Sequence, residues 1–229
     1  MMKKVIVLTA FVTLLSLPAI CLAIPPYPGP YVSGFFGVSF PTNTDVTSTT
    51  FGPGATTFND RVEFDPSINI GGTGGFDFGF LRMEGELSYK NGEMSKITEQ
   101  NSGTRIANVD GRLGALAMMF NAFLDLHNNT RVTPYIGGGV GFATLHLSDT
   151  YGTETTTGQR SRLYRSDDDT VFAYQAGAGL EIALTKRFSL DLGYRYFGTT
   201  KATFNNHSST TTELKFESHN ASVGLRIRF

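Results

Sequence analysis

Leu81-Arg82-Met83-Glu84-Gly85-Glu86-Leu87-Ser88-Tyr89-Lys90 is the stretch that decides the fold. Its even positions hold four charged residues of both signs and a serine, and its odd positions hold Leu, Met, Gly, Leu and Tyr. A helix would scatter these charges around its axis, whereas an extended chain sorts them onto one side. Residues 81–90 therefore read as a strand with one apolar and one charged face.

The same period runs outward in both directions. Residues 31–40 put Val32, Gly34, Phe36, Val38 and Phe40 against Ser33 and Ser39. Residues 68–78 put Ile68, Ile70, Gly72, Gly74, Phe76 and Phe78 against Asn69, Thr73 and Asp77. In 113–125, Leu116, Met118, Phe120, Ala122 and Leu124 oppose Asn121 and Asp125, a register that drops Met119 and Phe123 on the polar side. In 134–147, Ile136, Val140 and Phe142 oppose Tyr135, Gly137, Gly139 and Gly141. Residues 171–184, 189–197 and 220–229 continue the pattern, ending on Ala221, Val223, Leu225, Ile227 and Phe229 opposite Asn220, Ser222, Arg226 and Arg228. That makes eight strands.

Connections alternate in length. Long ones cover about 41–66, 91–109, 148–170 and 198–217, and short ones fall at 79–80, 126–133 and 185–188. Strict alternation is what an up-and-down barrel gives when one rim faces outside and the other the periplasm. The long connections are rich in Thr, Ser, Asn and Gly and show no apolar pattern for a second core.

Composition fits one exported all-β unit. The 229 residues are 17% charged with net charge −1, 26 Gly, 19 Phe, 9 Tyr and no Trp. Low charge with many aromatics argues against disorder, and the lack of a basic run argues against a nucleic-acid partner. Lys3 and Lys4 precede an apolar run at 5–17, and Cys21-Leu22-Ala23 offers a cleavage site, so residues 1–23 are expected to be a signal peptide. Residues 24–30 form a short Pro-rich leader and 31–229 the barrel domain. Without Lys3 and Lys4 the 19 basic residues become 17 against 20 acidic, net −3. The only cysteine leaves with the leader, which excludes disulfides and Cys-ligated metals. No cofactor or metal is expected.

Alternation alone does not say which face is inside. The apolar face carries no charge on any of the eight strands, as hydrocarbon demands at ~2–4 kcal/mol per midplane charge. The other face carries Asp77, Glu84, Glu86, Glu181 and Asp191 with Arg82, Lys90, Arg195, Arg226 and Arg228, set among Gly, Ala, Ser and Asn. Balanced charges can satisfy one another in a narrow lumen. The chain stops at Phe229 in mid-strand, and pairing the last strand with the first removes both edges.

Phe229 after Val223, Leu225 and Ile227 resembles the C-terminal β-signal of outer-membrane proteins, which implies the barrel assembly machinery as a partner. Residues 81–89, 134–142, 172–179 and 189–197 resemble porin-family, opacity-type β-barrel surface proteins of Gram-negative bacteria. The resemblance implies an eight-stranded antiparallel transmembrane β-barrel in the outer membrane, in contact with its lipid and lipopolysaccharide. Its implied role is surface interaction through the loops, in adhesion or envelope integrity, without catalysis; the alternative is a narrow porin-like channel.

Three clusters were candidates for chemistry. Arg82, Glu84, Glu86 and Lys90 line either a conduit or, as the width of eight strands favours, a plugged lumen. His146-x-Ser148 is similar to the dyad of outer-membrane lipid A deacylases, although Asp149 stands where that family has Asn and the sequence shows no orienting acid. The expectation is therefore a rim histidine rather than a lipid-modifying enzyme. Asp167-Asp168-Asp169 reads as a solvated rim rather than a Ca²⁺ loop, and Arg160, Arg162 and Arg165 just upstream have either lipid phosphates or nearby acids as partners. His127, His207 and His219 are too dispersed for a metal site.

Overall fold

The computed structural model describes residues 28–52, 55–99, 105–155, 158–205 and 210–229. The expected signal peptide and His207 lie outside them. Fifteen strands follow one another without a helix among the described residues.

Eight of them close a ring: β1 (Gly29–Pro41), β4 (Ser67–Asp77), β5 (Leu81–Glu99), β7 (Arg112–Asp125), β8 (Val132–Leu147), β11 (Asp167–Ala183), β12 (Phe188–Thr199) and β15 (Glu217–Arg228). Each is antiparallel to its neighbours. The ring shuts where Tyr31 pairs with Arg228 and, ten residues on, Pro41 pairs with Ser218. These are the eight strands the alternation picks out, with β1 starting at Gly29, inside the stretch expected to be leader.

The pleat sends alternate side chains to opposite sides. Phe36 is 65% exposed, Met118 69% and Phe142 62%, and they stand on the outer wall with Ile70, Leu87, Leu116, Val140 and Leu225. An apolar belt of this kind outside a closed ring is a surface made for lipid. On the inner wall Met119 and Phe123 are buried, so the register of β7 holds and the lumen takes two large apolar side chains.

Glycine makes the tight curvature between β7 and β8 possible. A Cβ on Gly139 would lie 2.0 Å from Asn121 Oδ1, one on Gly137 2.1 Å from the Ala122 carbonyl, and one on Gly141 2.1 Å from the Met118 carbonyl. Only a residue without a side chain lets the two backbones fold in this closely.

The long connections differ from expectation. They carry seven more strands: β2 (Thr44–Thr50), β3 (Thr56–Asp65), β6 (Arg105–Asp110), β9 (Thr150–Glu154), β10 (Arg160–Tyr164), β13 (Ala202–Asn205) and β14 (Thr210–Leu214). One run pairs in the order β13-β14-β2-β3-β5 and another in the order β5-β6-β9-β10, so the barrel wall continues upward as a collar.

That collar has an apolar core, which the sequence reading had excluded. Val46, Val62, Met94, Ile97, Tyr164, Ala202, Phe204, Leu214 and Phe216 pack with the inward Leu113, Ala115, Ala117, Met119, Leu145, Leu147, Val171 and Phe197 of the barrel strands. Each connection supplies only a few of these residues, set among polar and charged ones. No single stretch shows a pattern, and the core exists only once the connections meet.

Candidate functional site: the barrel interior and its outer rim

The lumen is built in tiers. Nearest the short turns, Glu181 receives three guanidinium groups. Arg226 and Arg228 each pair with it directly, and Arg82 Nη1 stands 3.4 Å from its Oε2. Arg82 also reaches Asp125 at 3.2 Å, Arg226 reaches Asp191 at 3.1 Å, and Arg228 reaches Asp77 at 3.6 Å. Asp125 is thus an eleventh lumen charge. The alternation places it on the polar face, beyond the ten charges that the sequence singles out.

Tyrosines join this tier to the next. Tyr135 donates its hydroxyl hydrogen bond to Asp191 over 2.8 Å, and Tyr31 donates to Glu84 over 2.6 Å. Arg226 lies over the Tyr31 ring at 4.6 Å, and Arg82 over the Tyr135 ring at 4.5 Å. Each of these two guanidinium groups therefore has carboxylate partners and an aromatic ring beside it, an arrangement that suits arginine better than lysine.

In the middle tier Arg195 bridges Glu84, at 3.4 Å, and Glu86. Gln175 and Asn121 donate amide hydrogens to Glu86 at 2.8 Å and 3.0 Å. Above them Lys90 donates to Ser88 Oγ at 2.7 Å and lies 4.4 Å from the centre of the Phe197 ring. Phe197 already belongs to the apolar core, so the lumen passes from ion pairs to hydrocarbon within a few residues of Lys90.

All ten charges singled out in the sequence point inward. Arg82, Glu84, Glu86 and Lys90 are at most 3% exposed. Side chains lining an open pore would stay wet, so this degree of burial marks a filled cross-section. The four residues of the C-terminal motif lie on or just past β15, with Leu225 and Phe229 on the exposed side.

The rim is also engaged. Arg160 comes within 3.9 Å of Asp110, and Arg162 within 4.0 Å of Asp149. Both are long, exposed pairs of the kind that contribute little. Arg165 has a partner within the protein as well. Asp169 accepts the Thr203 backbone N–H at 2.7 Å. His219 stacks on Tyr194, whose hydroxyl lies 2.7 Å from its Nδ1, on the outer wall.

Asp168 corrects the sequence reading of His146. β8 and β11 pair so that His146 faces Asp168, and Nδ1 lies 2.5 Å from Oδ1. This acidic partner of His146 lies 22 residues away in sequence and one strand away in space.

A closed eight-strand ring, lipid-facing outside and ion-paired inside, is the decisive architecture. The family model for the outer membrane protein beta-barrel domain matches residues 8–229. The chain belongs to that family. It is therefore an outer-membrane β-barrel protein of the type whose strands, not helices, cross the bilayer.

Outer membrane protein PagN of Salmonella typhimurium is 29% identical over 129 residues, covering 53% of this chain and 53% of PagN. The chain thus matches about half the length of that relative. Among solved structures, the outer membrane protein OprG of Pseudomonas aeruginosa aligns with a TM-score of 0.55 at 13% identity, over 88% of this chain and 97% of OprG. The outer membrane protease OmpT of Escherichia coli aligns with a TM-score of 0.50 at 9% identity, over 92% of this chain and 99% of OmpT. These two likenesses are of fold alone. Since the second is a protease, a fold of this kind does not by itself decide whether a protein is catalytic.

Proposed function

We propose that this outer-membrane barrel is a closed scaffold whose work is done by its collar, which it holds rigidly above the lipid for contact with a surface ligand. Adhesion and envelope integrity are the roles that suit such a scaffold, and the reading needs no catalysis. One observation carries it: side chains fill the interior at every level, ion-paired below and apolar above. A transport protein needs a wet path along its axis, and none of the inward charges from Arg82 to Lys90 is wet.

The outer wall meets membrane lipid, and the half-exposed Arg160 and Arg162, each in a long ion pair, are suited to phosphate groups of lipopolysaccharide. The outward Leu225 and Phe229, with Val223 and Ile227, form the motif offered to the assembly machinery.

Planar-bilayer recording on the full folded chain tests the closed state. Silence across the voltage range is the expected result, and regular conductance steps would transfer the assignment to the narrow-channel alternative. Protease treatment of intact cells tests display: cuts should fall in the long connections and spare the turns at 79–80, 126–131 and 184–187.

A further inference from the structure

The seam that closes the barrel does not run unbroken into the collar. β1 and β15 pair as far as Pro41 and Ser218, and β2 and β14 pair from Thr47 and Glu213 onward. Between the two ladders the chains bow apart, with the Thr42 N–H on the Glu217 carbonyl at 2.8 Å just above the lower one. The gap is a cavity of about 390 Å³ with the buried Leu214 in its lining. That size lies within the ~300–1,000 Å³ of small-molecule sites.

The polar groups around the gap are of both kinds. Asp45, Glu213 and Glu217 bring three carboxylates against the two ammonium groups of Lys201 and Lys215, and Asn43 adds an amide. Lys201 Nζ lies 3.1 Å from Glu213. Three negative charges against two disfavour a phosphate or sulfate guest. Strong acceptors beside strong donors suit hydroxyl groups, each of which gives one hydrogen bond and accepts others.

Directly below, the outer wall is aromatic. Gly198 faces Glu217 on one side and Tyr174 on the other, and a Cβ on it would lie 2.7 Å from the Tyr174 ring. The glycine therefore lets Tyr174 lie across the wall toward Glu217. One row down, Tyr196 pairs with His219, their rings 5.3 Å apart, and Tyr174 lies 6.4 Å from Tyr196. The Tyr196 hydroxyl shares side-chain hydrogen bonds with Glu217 and Tyr174, which joins the aromatic row to the cavity.

From this juxtaposition we infer that the gap in the seam is a saccharide site for an uncharged hexose or N-acetylhexosamine ring. Such a ring has a hydroxyl-bearing edge, which the carboxylates and ammonium groups satisfy, and a carbon–hydrogen face, which rests on the tyrosines. The inference rests on the scaffold reading and names the chemistry of its surface ligand. Tyrosine rows mark the headgroup boundary of a barrel. The ring therefore has two sources: the sugars of an outer-leaflet glycolipid, or a soluble glycan arriving from outside.

The test presents the full chain, folded in micelles, with a panel of uncharged glucose, galactose and N-acetylglucosamine oligosaccharides, and with heparin hexasaccharide. Saturation-transfer NMR reads binding. In a second arm, native mass spectrometry reads retention of lipopolysaccharide that carries or lacks its outer hexoses. Binding of a soluble member of the panel assigns the site to an external glycan, and retention that depends on the outer hexoses assigns it to the membrane's own glycolipid. In either arm Glu217→Gln and Tyr196→Leu should each weaken binding by on the order of 10-fold on protein whose gel mobility shows it folded. Lys186→Gln, in the short turn at the opposite end of the barrel, should leave it unchanged.

No binding in either arm would overturn the inference. So would binding that survives both substitutions, or a preference for heparin hexasaccharide over every uncharged probe. Conductance steps in a planar bilayer would remove the scaffold reading and leave saccharide binding as measured, whereas a silent bilayer with no saccharide bound would remove the saccharide site alone.

Discussion

Tyr164 donates its hydroxyl hydrogen bond to Asp60 over 2.7 Å and so ties the third long connection to the first across the top of the barrel. The tyrosine is buried in the collar core. Burial and the neighbouring Asp60 charge hold its hydroxyl well above the ordinary tyrosine value of 10. The unfolded chain therefore loses this proton first as pH rises, and the folded chain keeps it. Stability from the contact is complete below pH ~10 and declines above it. Tyr164→Phe should remove that alkaline decline from the collar and speed protease cutting of residues 41–66 at neutral pH, with the barrel itself unchanged. Limited proteolysis at pH 7 and 10.5 measures both.

Glu181 is the most heavily used acid in the lumen, with Arg82, Arg226 and Arg228 all on it. Glu181→Gln would leave three buried cations to share Asp77, Asp125 and Asp191. Removing one member of a buried charge cluster costs ~3–5 kcal/mol. The expected result is a large drop in the denaturant midpoint of the micelle-folded barrel. An unchanged midpoint would mean that the tier is less dry than its burial indicates.

Gly139 has no room for a methyl group, because Asn121 Oδ1 and the Phe120 carbonyl occupy the space at 2.0 Å and 2.4 Å. Gly139→Ala should force β7 and β8 apart and lower the folded yield. Gly34→Ala, on the outer wall where nothing lies within 4 Å, should fold normally. Comparing the folded fractions of the two variants by gel mobility isolates the steric effect from glycine's backbone freedom.

Phe216 packs against Phe197 with ring centroids 6.2 Å apart and closes the top of the lumen core. Truncating such a ring in a packed interior costs ~3–5 kcal/mol. Phe216→Ala should therefore make all the long connections more sensitive to protease on intact cells, since the collar shares one core. Loss confined to residues 198–217 would show that the connections are independent of one another.

Phe229 is 78% exposed on the outward side, so its ring meets membrane more than protein and the fold does not depend on packing around it. Phe229→Ser should nonetheless slow arrival in the outer membrane if the C-terminal motif is read by the assembly machinery. The check is a pulse-chase of membrane insertion beside a denaturation curve: insertion should slow by far more than the modest loss of lipid contact in the second accounts for.

The barrel was legible because each of its strands must sort its own side chains. Glu84 and Leu87 reveal their faces to any reader of the local sequence, with no knowledge of what lies opposite. The collar was not legible, because Val46, Val62, Phe204 and Leu214 sit in short stretches of mostly polar residues and become a core only through contacts between connections distant in sequence. Asp168 was missed for the same reason. As part of an acidic triplet it looked like a wet rim, and only the register between β8 and β11 carries it to His146. Asp125 is a different case: its face was read correctly, but its charge was not counted among those that needed a partner.

The seam between β1 and β15 places residues 31–41 against 218–228, so the oldest part of the cylinder can be zipped only by the youngest. Until that moment both margins are raw, with a row of amide and carbonyl groups that hydrocarbon cannot accommodate. A half-made wall has nowhere comfortable to wait in the bilayer. Entry into the membrane and completion of the circle must therefore be nearly one event.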